Sequence, residues 1–140
     1  MENNFWCLIK FPTFDTKNGI LSMFEYGKES VPFIVKKTLL IRGMTGTDKR
    51  GAHTHHKTKQ VLICISGECK VDMDNGKEKT TITLDKADEG LLLLPYVWHV
   101  MHSFAPDTVL LVLADRKYDE NEYIRNYEDF IRFAEEINKK

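Results

Sequence analysis

Residues up to about 114 are divided by turn-forming residues into short runs that favour β-strands. The turn signals are Asn18-Gly19, residues 43–46, Ser66-Gly67, Asp74-Asn75-Gly76 and residues 105–107. The runs between them are rich in Val, Ile, Leu, Thr and Phe and cover residues 33–42, 60–65, 69–73, 79–84, 90–94 and 108–114. This spacing predicts an all-β sandwich or small barrel over about residues 5–115, with a hairpin turn at residues 74–76.

Three of these runs are apolar at every position instead of alternating: residues 61–65, 91–94 and 109–114. A strand with one face in water should alternate between apolar and polar side chains. Both faces of these three strands must therefore be covered. A second sheet or a second subunit would serve, and we expect a homodimer.

The hydrophobic period changes near the end of the chain. Beyond Asp119, apolar residues recur at helical spacing: Tyr123, Ile124, Tyr127, Phe130, Ile131, Ala134 and Ile137. Asp119 and Glu122 form a variant of the capping box, and two lysines end the chain where cations favour a helix. The pattern predicts a C-terminal α-helix over about residues 119–138 that packs its apolar stripe against the barrel.

Size and charge exclude several classes of protein. A chain of 140 residues is the size of one domain, and we treat residues 1–140 as such. The formal net charge of −1, with acids and bases interspersed, argues against a nucleic-acid-binding surface. There is no secretory signal or long apolar span, and the three cysteines form neither a zinc pattern nor a disulfide framework. We therefore expect a cytoplasmic protein with free thiols.

The stretch RGAHTHHKTKQVLICISGECKV, residues 50–71, holds three of the five histidines. His53 and His55 are two residues apart, so a strand would place both imidazoles on one face and direct His56 to solvent on the other. Imidazoles with pKa values of about 6.5 suit proton transfer near neutral pH. The chemistry that fits is proton abstraction beside a carbonyl through an enediolate, with Arg50 available to stabilise an oxyanion or a phosphate.

The spacing of these residues resembles the two motifs of cupins. His53-x-His55 is followed after four residues by Gln60 and after six more by Gly67, and the second motif corresponds to residues 90–99 with His99 at its end. The resemblance implies a jelly-roll barrel with its site in the lumen. Many cupins bind a divalent ion through such histidines and a glutamate. Here Gln60, a poorer ligand, replaces the glutamate, and we expect no metal, with a metal-dependent enzyme of the dioxygenase type as the alternative.

Several motifs together resemble one cupin family, the dTDP-4-keto-6-deoxyglucose 3,4-ketoisomerases. They are R-G-x-H-x-H and Q-V-L-x-C-x-x-G in residues 50–67, P-x-V-W-x-x-M at 95–101 and Y-D-E-x-x-Y-I-R-x-Y at 118–127. The resemblance implies a homodimer that exchanges N-terminal strands and uses neither metal nor other cofactor. It also implies a dTDP-linked 4-keto-6-deoxyhexose as substrate, whose keto group moves from carbon 4 to carbon 3. Such enzymes make precursors of 3-amino-3,6-dideoxyhexoses for bacterial surface polysaccharides.

The same resemblance implies roles for individual residues. His53 would remove the proton from carbon 3, and His55 would move a proton between the two oxygens or to carbon 4. The substrate-binding residues would be Arg50, on the diphosphate or sugar, together with Gln60, His99 and Tyr96.

The chain departs from the family pattern where a tyrosine pair is usual, because Leu39 and Leu40 stand there. Leucine donates no hydrogen bond, so Tyr96 or Tyr26 is a candidate for the missing hydroxyl. The family shows His or Arg at the position of His99, so the resemblance implies the galacto product, and the configuration at carbon 4 is not fixed by the sequence. A non-catalytic nucleotide-sugar-binding cupin and a sugar epimerase are further alternatives.

Overall fold

The computed structural model describes residues 4–139 and consists of antiparallel β-sheets with one α-helix near the C-terminus. The elements are β1 (Trp6–Lys10), β2 (Thr13–Thr16), β3 (Gly19–Ser22), β4 (Lys37–Ile41), β5 (Arg50–His55), β6 (Gln60–Ser66), β7 (Cys69–Asp74), β8 (Lys79–Leu84), β9 (Glu89–Leu93), β10 (Trp98–His102), β11 (Val109–Ala114), a 3-10 helix (Glu120–Glu122), β12 (Tyr123–Ile124) and α1 (Tyr127–Asn138). The predicted all-β class with a C-terminal helix is confirmed.

Two five-stranded sheets form the two walls of the jelly-roll barrel. The strand order is β1-β9-β6-β11-β4 in the first sheet and β12-β5-β10-β7-β8 in the second, while β2 and β3 form a separate hairpin. Strands distant in sequence lie side by side in both sheets, so the walls depend on long-range pairing. The hairpin predicted at residues 74–76 is present, since β7 pairs with β8 across that turn.

The main hydrophobic core lies between the two sheets. Buried side chains from both walls form one cluster that includes Leu62, Leu91, Leu110 and Val112 from the first sheet and Val71, Met73, Leu84 and Met101 from the second. Burial of apolar side chains of this size contributes about 1.5–3 kcal/mol each to the free energy of folding. This cluster therefore supplies much of the driving force that holds the barrel closed.

The outer face of the first sheet is covered in part by the chain's own N-terminal region. Val61, Ile63 and Leu113 are buried in a second cluster with Phe11 and Val31, together with Phe33. This explains why β6 and β11 are apolar at nearly every position. The run predicted as a strand over residues 33–42 is shorter in the structure, because Phe33 packs onto this face and β4 begins only at Lys37.

The C-terminal helix is shorter than predicted, because the segment before it follows another path. Asp119 caps the 3-10 helix by accepting a hydrogen bond from the Asn121 backbone, and the chain then enters β12. Helix α1 starts at Tyr127, with Asn126 as its N-cap. The capping box predicted at Asp119 is therefore wrong as the start of the helix.

The buried face of α1 packs against the outside of the second sheet, as the helical stripe predicted. Phe130 and Ala134 form a cluster with Ile124 and Trp98. Tyr123 and Ile124 fit the helical pattern but form β12, because their pairing with β5 outweighs the local helix preference. Within residues 4–139, no helix has both the length and the apolar character that a bilayer span requires.

Candidate active site

Two neighbouring strands of the second sheet bring three histidines together. His53 and His55 lie on β5, and His99 on β10 is directly opposite His53 in the register. The ring centroid of His53 is 5.0 Å from that of His55 and 4.9 Å from that of His99, and the His55 and His99 centroids are 5.9 Å apart. His55 and His99 are buried. The prediction that His53 and His55 share one face is confirmed by this contact.

A β-bulge in β5 places Arg50 on the same side of the sheet as His53. Residues three apart face opposite sides of a regular strand. Here the register against β10 shifts between His99 and Val100, so that His53 pairs with His99 while Gly51 pairs with Val100. Gly51 and Ala52 both adopt positive φ, 91° and 57°. The extra residue turns the strand, and both Arg50 and His53 line one cavity.

This cavity opens between the sheets and has a volume of about 390 Å³. Leu39, Ile41, Leu62, Met101 and Val112 form its apolar walls, together with the Gly51 backbone. The polar side chains that line it belong to Lys49, Arg50, His53, Gln60, His99, Tyr123 and Arg125. Lys49, Arg50 and Arg125 are exposed at the mouth, where Arg125 donates two hydrogen bonds to the Glu120 carboxylate. Among the described residues, the lining contains no carboxylate. The cavity therefore combines a cationic entrance with a neutral, histidine-lined interior, which suits an anionic ligand with an uncharged reactive part.

Burial keeps the imidazoles of the cluster neutral. Desolvation is the main cause that lowers the pKa of His53 to about 3, and His99, Arg125 and Arg50 lower it further. The pKa of His55 falls to about 2, again mainly by desolvation and then through His99 and His53. Burial also lowers the pKa of His99. At neutral pH all three rings are therefore uncharged, and each has one ring nitrogen with a free lone pair.

Hydrogen bonding leaves ring nitrogens of the cluster without a protein partner. His99 Nδ1 donates to the Val97 carbonyl at 2.9 Å, which assigns the lone pair of that ring to Nε2. His53 Nδ1 and His55 Nε2 are buried and have no hydrogen-bond partner among the described residues. Buried polar atoms are rarely unpaired, and such atoms call for an explanation such as a ligand or an ordered water.

The same three histidines could hold a metal ion by geometry, since one nitrogen from each lies within 4.8 Å of the others. The charge around them is unfavourable for a cation. Three neutral imidazoles would leave the full charge of a divalent ion in place, next to Lys49, Arg50 and Arg125. The three rings therefore match a metal site in geometry, but this ligand set contains no carboxylate that would offset the charge of a divalent ion.

Tyr123 and Arg125 line the cavity although the sequence pattern assigned that segment to the packing face of a helix. Tyr123 is opposite His55 in the pairing of β12 with β5. Its ring centroid is 5.0 Å from that of His53 and 4.6 Å from that of His55. The signal that could have identified these residues is the Y-I-R sequence in the C-terminal motif quoted above.

The structure does not bring Tyr96 into the cavity. The Tyr96 hydroxyl shares a hydrogen bond of 3.1 Å with His56 Nδ1, and the His56 ring also contacts Phe133 of α1. The prediction of a solvent-facing His56 is therefore wrong, because the helix half-buries it. Tyr26 is exposed and does not line the cavity either. Neither of these tyrosines supplies a hydroxyl to His53, His55 or His99.

Comparison with known proteins places this site in a family. Residues 4–135 match the FdtA family model, described as WxcM-like, C-terminal. The chain is 41% identical over 138 residues to a TDP-4-oxo-6-deoxy-α-D-glucose-3,4-oxoisomerase from Aneurinibacillus thermoaerophilus, covering 99% of this chain and 96% of that protein.

Solved structures give the same result. A mutant of the 3,4-ketoisomerase QdtA from Thermoanaerobacterium thermosaccharolyticum, in complex with TDP-4-keto-6-deoxyglucose, superimposes with a TM-score of 0.92 at 38% identity, covering 96% of this chain and 97% of QdtA. The TDP-fucose-3,4-ketoisomerase WlaRA from Campylobacter jejuni matches with a TM-score of 0.85 at 32% identity, covering 92% of this chain and 95% of WlaRA. The chain therefore belongs to the FdtA family, the WxcM-like C-terminal family of cupin fold, as its sequence motifs predicted.

Proposed function

We propose that this protein is a sugar-nucleotide 3,4-ketoisomerase that moves the keto group of a TDP-4-keto-6-deoxyhexose from carbon 4 to carbon 3. The observation that carries the proposal is the cluster of His53, His55 and His99 beside a cavity with three cations at its mouth. The relatives at 41% and 38% identity carry out, or bind the substrate of, this reaction.

The diphosphate of the substrate binds at the mouth of the cavity. Lys49 and Arg50 are long, exposed cations around one opening, and Arg125, which is paired with Glu120, lies beside them. Arginine in particular matches phosphate oxygens with paired hydrogen bonds. The sugar then extends inward, where Gln60 and His99 offer polar contacts. The apolar walls exclude water from the reacting carbons, which strengthens every electrostatic contact there.

His53 is the base that removes the proton from carbon 3. The ring lines the cavity, is neutral at pH 7 and has an unpaired buried nitrogen. The C–H bonding pair becomes the double bond between carbons 3 and 4, and the carbonyl pair moves onto the oxygen at carbon 4. The negative charges of the diphosphate, close to Arg50 and Arg125, offset the cations that depress the pKa of His53 and so increase its basicity.

The second half of the reaction delivers a proton to carbon 4. The hydroxyl hydrogen leaves the oxygen at carbon 3, a carbonyl forms there, and carbon 4 takes up a proton from the imidazole side. His55 does not line the cavity, but its ring lies 5.0 Å from that of His53. We assign His55 to proton movement behind His53, so that protons reach and leave the sugar through the His53 ring that lines the cavity. The protons balance. The sugar gains one proton at carbon 4 and one at the oxygen of carbon 4, and it loses one proton from carbon 3 and one from the oxygen of carbon 3.

The assembly is a homodimer that exchanges N-terminal strands. Phe14, Ile20 and Leu21 on the β2–β3 hairpin are 53%, 69% and 58% exposed, an unusual density of large apolar side chains on a short hairpin. A second copy would cover them.

The 3-keto product is the substrate class of an aminotransferase, which would make a 3-amino-3,6-dideoxyhexose for a surface polysaccharide.

The direct test is incubation with TDP-4-keto-6-deoxyglucose in heavy water, followed by proton NMR. We expect deuterium at carbon 4 and a carbonyl at carbon 3 in the product. His53→Asn should abolish both while TDP affinity stays within a few-fold of that of the wild type. A wild-type protein that binds TDP but leaves the sugar unchanged would identify a binding module and refute the proposal. Retention of the carbonyl at carbon 4 with inversion elsewhere would identify an epimerase.

A further inference from the structure

Tyr123 lines the cavity beside the histidines, and none of the proton transfers assigned to His53 and His55 uses its hydroxyl. The Tyr123 ring contacts those of both His53 and His55 edge-on or tilted. Pairing of β12 with β5, in which Tyr123 is opposite His55, fixes its backbone. The ring is therefore held where a sugar that reaches His53 must also meet it.

Tyr123 is also the only hydroxyl-bearing residue among the described residues that line this cavity. The opposite wall is formed by aliphatic side chains such as Leu39, Ile41 and Val112, which donate no hydrogen bond. The cations at the mouth are exposed and are assigned to the diphosphate. His99 Nδ1 already donates to the Val97 carbonyl. Besides the Gln60 amide and the imidazoles, the Tyr123 phenol is thus the inner group of this lining that can donate to a sugar oxygen.

Removal of the carbon 3 proton creates a need for a hydrogen-bond donor, because negative charge builds up on the oxygen at carbon 4. An oxyanion in a cavity with apolar walls is costly unless a donor is placed to receive it. We propose that Tyr123 is a catalytic residue whose phenol donates a hydrogen bond to this oxygen as the enediolate forms. The phenol keeps its proton, so the proton balance given above is unchanged. This role rests on the proposed function of the protein.

The surroundings of Tyr123 support a donor role. The guanidinium carbon of Arg125 lies 4.3 Å from the centroid of the Tyr123 ring, and the Lys37 amino group lies 6.0 Å from it. These cations hold the ring in place and favour negative charge nearby. Desolvation raises the pKa of Tyr123, so the phenol stays protonated and able to donate at neutral pH.

The test compares Tyr123→Phe with the wild type by following ketone migration and solvent deuterium exchange with TDP-4-keto-6-deoxyglucose. Phenylalanine keeps the ring contacts and removes only the hydroxyl. Loss of one oxyanion donor lowers kcat by about 10²–10³-fold. We expect a fall of this size in kcat, with TDP affinity within twofold of wild type. Deuterium exchange should slow in parallel, because both processes pass through the same oxyanion.

Tyr127→Phe is the matched control, since the Tyr127 hydroxyl donates to Asp74 and the residue does not line the cavity. It should retain wild-type kcat. A kcat of Tyr123→Phe within threefold of the wild type would overturn the assignment. A fall in TDP affinity or in melting temperature as large as the fall in kcat would also overturn it. The same holds if deuterium exchange keeps the wild-type rate while ketone migration slows. A wild type without turnover would instead refute the proposed function, so the two failures are distinguishable.

Discussion

Acid should destabilise this protein through its buried histidines. His53 and His55 have pKa values of about 3 and about 2 in the folded chain, against 6.5 for an unperturbed imidazole. Between pH 6.5 and pH 3 the unfolded chain therefore binds protons that the folded chain does not. Stability then rises with pH in this window and is lost on acidification. The effect follows from burial of neutral rings and not from a broken ion pair.

The magnitude follows from the distance between the pH and the unfolded pKa. Lowering the pH from 7.5 to 5.0 favours the unfolded state by about 2 kcal/mol for each imidazole that stays neutral in the fold, since one pH unit corresponds to about 1.4 kcal/mol. For His53 and His55 together the loss is about 4 kcal/mol. This is a large part of the 5–15 kcal/mol that is typical of a domain. His99, whose pKa burial also lowers, adds to it.

Urea denaturation at pH 7.5 and pH 5.0, at one fixed protein concentration, measures this loss. The control is the double variant His53→Asn/His55→Asn, which keeps every carboxylate and His99. The difference in unfolding free energy between the two pH values should be about 4 kcal/mol smaller in the variant than in the wild type. An equal pH dependence in both proteins would refute the assignment of neutral, buried rings to His53 and His55.

Three further predictions concern the geometry of the cavity. Gly51→Ala should lower the free energy of unfolding by about 1–3 kcal/mol and reduce turnover, because the new Cβ atom would lie 2.9 Å from the His99 carbonyl oxygen at a φ of 91°; thermal melting and the NMR assay measure both. Arg50→Met should weaken TDP binding about tenfold and reduce its dependence on salt, as measured by calorimetry at two ionic strengths. Tyr96→Phe should leave TDP affinity and kcat within twofold of the wild type, since its hydroxyl bonds to His56 outside the cavity; a tenfold loss in either would return Tyr96 to the substrate-binding set.

Local sequence signals were sufficient for the elements that local physics governs. The strands β6, β8 and β9 lie within a residue of the predicted runs, because β-branched and aliphatic residues bounded by turn residues have few other stable conformations. The strands β5 and β10 carry the histidines and mix polar with apolar residues, so composition alone did not mark them as strands. Their motif spacing did, through the resemblance to cupins.

The segment around Tyr123 shows where a local pattern fails. Its residues satisfy both a helical stripe and a short strand, and periodicity cannot separate the two over so few positions. The segment forms a strand because it pairs with β5, a strand almost 70 positions earlier in the chain. As a result a residue predicted to pack under a helix became part of the cavity lining.

The sequence by itself determined the jelly-roll class, the family and the pair His53 and His55 on one face, because alternation along a strand and motif spacing are properties of the chain. Only the tertiary structure decided which other side chains join them. The bulge at Gly51 and Ala52 places Arg50 on the side of His53, and the pairing of β12 places Tyr123 beside the histidines. The hydrogen bond to His56 keeps the Tyr96 hydroxyl outside the cavity. Each of these results depends on contacts between distant strands or a strand and a helix, whose free energy no local window of sequence contains.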